Sequence, residues 1–132
     1  MTVFETPERL ASWSGLSPGN NESAGKKSTR TSPGNKYIKT IACQCAHAAS
    51  HTKDTYLASK FHSIKARRGP QKAAIATSRH IMIGVFHIIK KKEPYKELGG
   101  DYLLKLRPKN VANSMIKRLK SLGYEVIEKN VI

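Results

Sequence analysis

Apolar residues recur at spacings of three and four along most of this chain, and this periodicity is typical of amphipathic helices. Helices are predicted at about 36–50, 53–68, 71–92 and 108–121. Their apolar faces, in that order, consist of Ile38, Ile41, Ala42, Cys45 and Ala49; Tyr56, Leu57, Phe61 and Ile64; the run 81–89; and Val111, Met115, Ile116, Leu119 and Leu122. The pattern therefore predicts an all-α fold.

The predicted helix ends have recognisable capping residues. Thr6, with a proline and a glutamate directly after it, starts a short helix that Gly15 ends. Trp13 is expected on the apolar face of this helix, with stacking on a nucleic-acid base as the alternative. Asn35 is the predicted N-cap of the helix at 36–50, and the pair at 69–70 breaks the chain before the next long helix.

The most apolar run, 81–89, is typical of the central helix of a bundle. A single domain is expected over 1–132, with about four to five helices. Its parts are a short helix in 1–15, a long basic Ser/Gly/Pro loop at 16–35, a helical core at 36–98, and a C-terminal helix and tail at 99–132. Residues 124–127 are expected to form either a short strand or an extended tail.

Charge is unevenly distributed along the 132 residues, whose formal net charge is +15. Residues 1–25 contain one Arg and three Glu, a net charge of −2, so the remainder has +17. Such an excess favours a polyanionic partner, because each neutralised phosphate releases counterions. Nucleic acid is the leading expectation, and an anionic membrane surface is the competing one.

Membrane insertion is not expected. The run 81–89 is far shorter than the roughly 20 residues that a spanning helix needs. The N-terminus has no charged and apolar segments of the kind that direct secretion. Cys43 and Cys45 are too close on one helix to form a comfortable disulfide, which fits a reducing compartment. A soluble, cytoplasmic protein is predicted.

The loop at 16–35 contains the candidate chemistry. Ser23 lies in a Gly-rich segment and is followed by several cations, so its hydroxyl could attack a phosphodiester whose oxygens those cations hold. The candidate phosphate-binding residues are Lys26, Lys27, Arg30, Asn35 and Lys36. Backbone amides at the helix start after Asn35 could also hold a phosphate oxygen. The alternative is a solvated polar loop on a generic basic surface.

Other clusters of reactive side chains are weaker candidates. Cys43, His47 and His51 share a helix face at four-residue steps, but Cys45 points elsewhere and one helix closes a tetrahedral zinc site poorly. Small buried cysteines and partly exposed histidines explain the same residues. No metal site is therefore predicted.

Two histidines on the long apolar helix, His80 and His87, could donate protons to a leaving oxygen. Packing in the core or at its rim is the favoured role for both. With two aspartates and seven scattered glutamates, the chain cannot build a two-metal nuclease centre. No cofactor is expected in this chain.

Several separated motifs occur in one order. They are the stretch 4–26 from Phe4 to Lys26, Gly-Asn-Lys-Tyr at 34–37, Thr-Lys-Asp-Thr-Tyr-Leu at 52–57, Arg-Arg-Gly at 67–69, Lys-Ala-Ala-Ile-Ala at 72–76, and Pro-Tyr-Lys-Glu-Leu-Gly at 94–99. Together they resemble the C-terminal domain of the insertion-sequence 110 (IS110/IS116/IS902) family of transposases. The resemblance extends over nearly the whole chain.

This resemblance implies that Ser23 is the recombinase nucleophile, which links covalently to a DNA phosphate during transposition. It also implies DNA as partner, a guide RNA as a further one, and homo-oligomers of the full-length recombinase. Family members have an N-terminal resolvase-like domain with an acidic, Mg²⁺-binding tetrad, which is expected to be missing here and to be needed for activity. The alternative function is a non-catalytic nucleic-acid-binding or multimerisation remnant.

Overall fold

The computed structural model describes residues 2–129. Within that range the chain forms six helices and one two-stranded sheet. In chain order these are α1 (Pro7–Trp13), β1 (Asn21–Ser23), β2 (Lys26–Ser28), α2 (Lys36–Ser50), α3 (Tyr56–Arg68), α4 (Pro70–Lys91), α5 (Tyr102–Leu106) and α6 (Pro108–Ser121). The predicted all-α class is confirmed as a mainly helical fold, with six helices described in place of the four to five expected.

Helix α4 is the centre of the fold, because α1, α2 and α3 all pack against it. Phe61 of α3 is buried with Ala73 and Ala74 of α4, and Ile64 packs against this cluster. Phe86 is the bulkiest fully buried side chain, with 1% of its surface exposed. Small side chains at the helix crossings let the backbones approach closely, so the core is compact rather than large.

Helix ends follow the predicted caps. The Thr6 hydroxyl accepts a hydrogen bond from the Arg9 amide at 3.3 Å, and Asn35 Oδ1 accepts one from the Ile38 amide at 3.1 Å. Helix α3 begins at Tyr56, three residues later than predicted, because Thr55 caps it. Side-chain caps thus set three helix starts.

The predicted buried face of α2 is partly wrong. Ala42 is buried as expected, but Ala46 and Ser50 complete the buried face, while Ile41 is 57% exposed and Cys45 is exposed. The face toward the core is lined by small residues because α2 packs closely against both α3 and α4. The long Ile41 side chain lies outside that contact.

The run 81–89 is less buried than predicted. Most buried residues of α4 lie in its first half, and Ile88 and Ile89 are 36% and 48% exposed. The neighbouring helices have 7, 15 and 13 residues against the 22 of α4, so they cover only part of its length. The C-terminal turns of α4 therefore extend past the shared core.

Three further expectations need correction. The loop at 16–35 contains the β1–β2 hairpin, and α5 was not predicted. Trp13 is 48% exposed and packs against the Phe4 ring at 5.4 Å, because the buried side of α1 consists of Leu10 and Ala11. Residues 124–129 have no regular secondary structure, so the tail alternative holds there.

Candidate nucleic-acid interface

The β1–β2 hairpin places Ser23 at its tip. Ser23 pairs with Lys26, and the same register continues down to a bridge between Pro18 and Thr31. The two turn residues between the strands, Ala24 and Gly25, have φ values of 50° and 75°. Positive φ at both positions is the pattern of a type I′ turn, whose twist matches that of antiparallel strands. Ser23 is thus the last residue before the turn.

The Ser23 side chain is exposed and lies across the ladder from Lys26. Paired residues of an antiparallel ladder project to the same face, with their Cβ atoms about 5 Å apart. Lys27 projects to the other face with its partner Glu22, and the two form an exposed ion pair at 3.9 Å. Lys26 is therefore the cation placed beside the Ser23 hydroxyl.

Close contact between two glycines anchors the base of the hairpin. A side chain at Gly34 would overlap the Gly15 backbone, and both residues have positive φ. The Asn35 amide donates a hydrogen bond to the Trp13 carbonyl at 3.0 Å, which ties the end of the loop to α1. The hairpin therefore begins and ends at one fixed point of the helical body.

Two cationic side chains hold the hairpin stem from the side. Arg79 of α4 donates from Nη1 to Ser17 Oγ at 2.8 Å. Lys39 of α2 donates from Nζ to Thr31 Oγ1 at 3.1 Å and to the Ser32 carbonyl at 3.4 Å. These bonds connect the stem to α2 and to α4.

The structure divides the candidate phosphate-binding residues into two groups. Lys26 and Lys27 lie at the tip with Ser23. Arg30 lies four residues along the strand from Lys26, a separation of about 13 Å at the usual rise of a strand. Its carbonyl accepts from the Gly19 amide at 3.1 Å, in the same register as the rest of the hairpin.

The other two candidates lie at the start of α2, beyond the base of the hairpin. Lys36 is the exposed first residue of that helix. Asn35 is its N-cap, and its backbone amide and side-chain oxygen both form hydrogen bonds within the protein. The Nδ2 group is what Asn35 still has to offer a phosphate.

A groove that sequence reasoning missed lies between the hairpin stem and α4, and we call it the stem groove. It has a volume of about 700 Å³. Arg30 from the hairpin, and Lys72 and Arg79 from α4, are its charged lining residues, and no acidic residue of the described chain lines it. Arg30 and Lys72 are 42 positions apart in sequence, so spacing gave no signal of their proximity.

The two histidines of α4 differ in burial, and only the first fits the favoured packing role. His80 is partly buried, with its ring edge-on to Tyr56 at 6.4 Å between centroids. Burial lowers the pKa of His80, and the Lys60 and Arg79 charges lower it further. His87 is exposed beside Phe86, with ring centroids 5.6 Å apart.

The cysteine and histidine motif of α2 has no metal geometry in the structure. Cys43 and Cys45 are both free thiols. Across residues 2–129, no group of three or more His, Cys, Asp or Glu side chains is placed to hold a metal ion. None of the helices described is long and apolar enough to cross a membrane.

Fold and site together define a mainly helical domain that holds a cationic β-hairpin with an exposed serine at its tip. Residues 1–63 match the family described as Transposase IS116/IS110/IS902 family. Residues 1–63, just under half of the chain, are thus similar to a transposase domain of this family, and this match supports a transposase-related function. The match includes α1, the hairpin, α2 and the first part of α3. No curated protein and no solved structure matched the chain.

Proposed function

We propose that this chain is a DNA-binding recombinase domain in which Ser23 attacks a DNA phosphodiester. The observation that supports this most is the position of Ser23, exposed at the hairpin tip directly across from Lys26. This position lies within the residues that match the transposase family. A transposase acts on DNA, and a chain with a net charge of +15 has the charge to bind it.

The proposed step exchanges one phosphate ester for another. Ser23 Oγ forms a bond to phosphorus, and the bond from phosphorus to one sugar oxygen breaks. The serine proton passes to water, and the departing sugar oxygen takes up a proton, so atoms and charge balance. Either the 3′ or the 5′ oxygen can be the leaving group. The ester bond is conserved, so the exchange needs no nucleotide cofactor.

In this proposal, Lys26 stabilises the negative charge that develops on the phosphate oxygens during attack. Lys27 projects to the opposite face, where it forms an ion pair with Glu22. When DNA binds, Lys27 can exchange this ion pair for one with a neighbouring phosphate. Because the stem is bonded to α2 and α4, the base of the hairpin is held in position before DNA arrives. Preorganisation of this kind lowers the entropic cost of attack.

Arg30, Asn35 and Lys36 then contact phosphates farther along the strand. The tip-to-stem separation of about 13 Å corresponds to about four nucleotides at the rise of one strand in B-form DNA. A single strand bound at the tip can therefore reach Arg30 within a few nucleotides. No cofactor is proposed for this chain, and Mg²⁺ would belong to an acidic domain of the complete recombinase.

Recombination joins two duplexes, so we propose that more than one protomer takes part and that the assembly works in the cytoplasm. A guide RNA is a further proposed partner, since the same cations bind either polyanion. The charge outside residues 1–25 is +17, enough for several phosphate contacts at once.

The serine assignment is tested by Ser23→Ala with Ser28→Ala as the matched control. Ser28 is exposed on the same hairpin, one residue pair below Glu22 and Lys27, and has no place in the proposed chemistry. Each variant is mixed with labelled element-end DNA, guide RNA and a separately supplied acidic domain. Denaturing electrophoresis then detects a covalent adduct between protein and DNA.

Ser23→Ala is expected to abolish the adduct and to leave DNA affinity unchanged, while Ser28→Ala keeps both. An undiminished adduct with Ser23→Ala contradicts the assignment.

The second candidate function is a non-catalytic nucleic-acid-binding or multimerisation module. It is favoured by the exposed apolar side chains of α6 and of the residue that follows it, namely Met115, Leu119 and Leu122. That function predicts salt-sensitive binding and no adduct from any variant, including the unaltered chain.

A further inference from the structure

The stem groove has an apolar floor between the hairpin and α4. Leu16, at the start of the stem, is 1% exposed and closes the bottom of the groove. Ile75 and Ala76 contribute the α4 side of this floor and are both partly buried. The floor is therefore an aliphatic surface that a flat, apolar group can cover.

The charged rim of the groove is entirely cationic within the described chain. Arg30 and Lys72 are exposed and form no ion pair with any described residue. Arg79 is partly buried and already donates to Ser17. An aliphatic floor with two available cations and no lining carboxylate complements one nucleotide, which combines an apolar base with an anionic phosphate.

We propose that the stem groove binds one unpaired nucleotide of the DNA strand whose phosphodiester reaches Ser23. The base would cover Ile75 and Ala76, and its phosphate would contact Arg30 or Lys72. The nucleotide must be unpaired, because the faces of a paired base are covered by its neighbours in the stack. The identity of the strand depends on the proposed function, whereas the fit to an unpaired nucleotide does not.

Position along the hairpin favours DNA as the occupant. Arg30 lies about 13 Å from the tip pair, within the reach of a few nucleotides of the same strand. A strand held at both points would have a base removed from its duplex close to the exchanged phosphate. Gln71 and Thr31 also line the groove and offer amide and hydroxyl groups to the base edge.

The test compares oligodeoxythymidine, oligouridine RNA and a DNA duplex of mixed sequence as fluorescent probes in anisotropy titrations. Every protein includes Ser23→Ala, so no covalent product forms. Ala76→Phe fills the floor, Arg30→Gln removes a rim charge, and Lys117→Gln on α6 is the matched charge control. Lys117 is exposed and lies outside the groove.

Ala76→Phe is expected to weaken single-strand binding about tenfold and to leave duplex binding unchanged, because the added ring occupies the space proposed for the base. Arg30→Gln should weaken single-strand binding more than Lys117→Gln does and reduce the salt slope by about one. Circular dichroism checks that Ala76→Phe is folded. If Ala76→Phe unfolds, Arg30→Gln, which changes an exposed side chain, provides the test instead.

Two results overturn the proposal. One is that the groove variants weaken single-strand and duplex binding equally, or that they weaken neither kind of binding. The other is a larger loss with oligouridine RNA than with oligodeoxythymidine, which would make RNA the occupant. Failure of Ser23 as nucleophile appears instead in the adduct assay, so the two proposals fail separately.

Discussion

Two glycines, one in the hairpin turn and one at the hairpin base, both have positive φ but differ in the space around them. Gly34 has a φ of +56°, and an added Cβ would overlap the backbone of Gly15. Gly25 in the turn has a φ of +75°, but no atom lies within 4 Å of an added Cβ. Backbone strain therefore acts at both positions, and a steric clash acts at Gly34 alone of this pair.

We expect Gly34→Ala to lower the free energy of unfolding by more than about 2 kcal/mol, because the base of the hairpin must open. Gly25→Ala, which adds strain without a clash, should cost about 1 kcal/mol. Urea denaturation followed by circular dichroism measures both. Equal losses at the two positions would show that the contact between Gly15 and Gly34 contributes nothing to stability.

Glu97 ties the segment after α4 to the start of α3. Its Oε1 accepts hydrogen bonds from the Tyr56 amide at 2.6 Å and from the Gly99 amide at 2.9 Å. The bond from Tyr56 is the main reason that the pKa of Glu97 lies below its ordinary value of 4.5, with the Gly99 bond adding to it against the effect of desolvation. The carboxylate thus prefers the folded state while it is charged.

Glu97→Gln is expected to lower the melting temperature by a few degrees at pH 7, because a neutral amide is the weaker acceptor. The stabilisation by Glu97 is complete above pH 4.5 and is lost as the pH falls through the lower folded-state pKa. The two proteins should therefore melt together in acid. Thermal denaturation from pH 3 to 7 measures the difference.

Glu93→Gln is the control for that series, since Glu93 is exposed on the same segment and has no hydrogen bond or ion pair to any described side chain. It should melt with the unaltered protein at every pH. A pH-independent loss in Glu97→Gln would mean that the carboxylate charge is irrelevant to the contact.

At the scale of elements, helices were more predictable than the hairpin. Capping side chains such as Thr6 and Asn35 act on their own helix, so local sequence identifies them. The strands 21–23 and 26–28 contain polar residues of low strand propensity, and their turn is Ala-Gly rather than the usual Asn-Gly. Contacts of the stem with α2 and α4, which local sequence does not show, hold the hairpin in place.

Helix faces were less predictable than helix ends. Hydrophobicity alone placed Ile41 inside, but the helix crossing accepts only short side chains such as Ala46 and Ser50. Which face is buried therefore depends on the neighbouring helix. The same reason explains why the apolar run 81–89 is only partly covered.

The candidate site was predictable only in part. Ser23 and Lys26 are three positions apart, and a tight turn makes them neighbours. Arg30, Lys72 and Arg79 meet only after the hairpin folds back onto α4, so their shared groove has no sequence signal. Local spacing indicates the tip, and tertiary packing creates the groove.

At the scale of the whole molecule, stability is concentrated in the N-terminal two thirds of the chain. Helix α4 packs against three helices, whereas α6 contacts α5 alone among the described elements and buries no residue fully. The amides of α4 between 73 and 86 are expected to exchange with solvent much more slowly than those of α6. Hydrogen exchange followed by mass spectrometry measures both. Equal protection in the two helices would show that α6 is covered in solution.

The alternation of side chains in the hairpin limits how its length can vary. Ser23 faces Lys26 because the register runs unbroken from the Pro18–Thr31 bridge to the turn. One residue added to a single arm would shift the pairing, and one added to each arm would rotate the serine to the reverse side of the ribbon. Longer or shorter versions of this hairpin that keep the hydroxyl on the same face must therefore differ by two residues per strand, four in all.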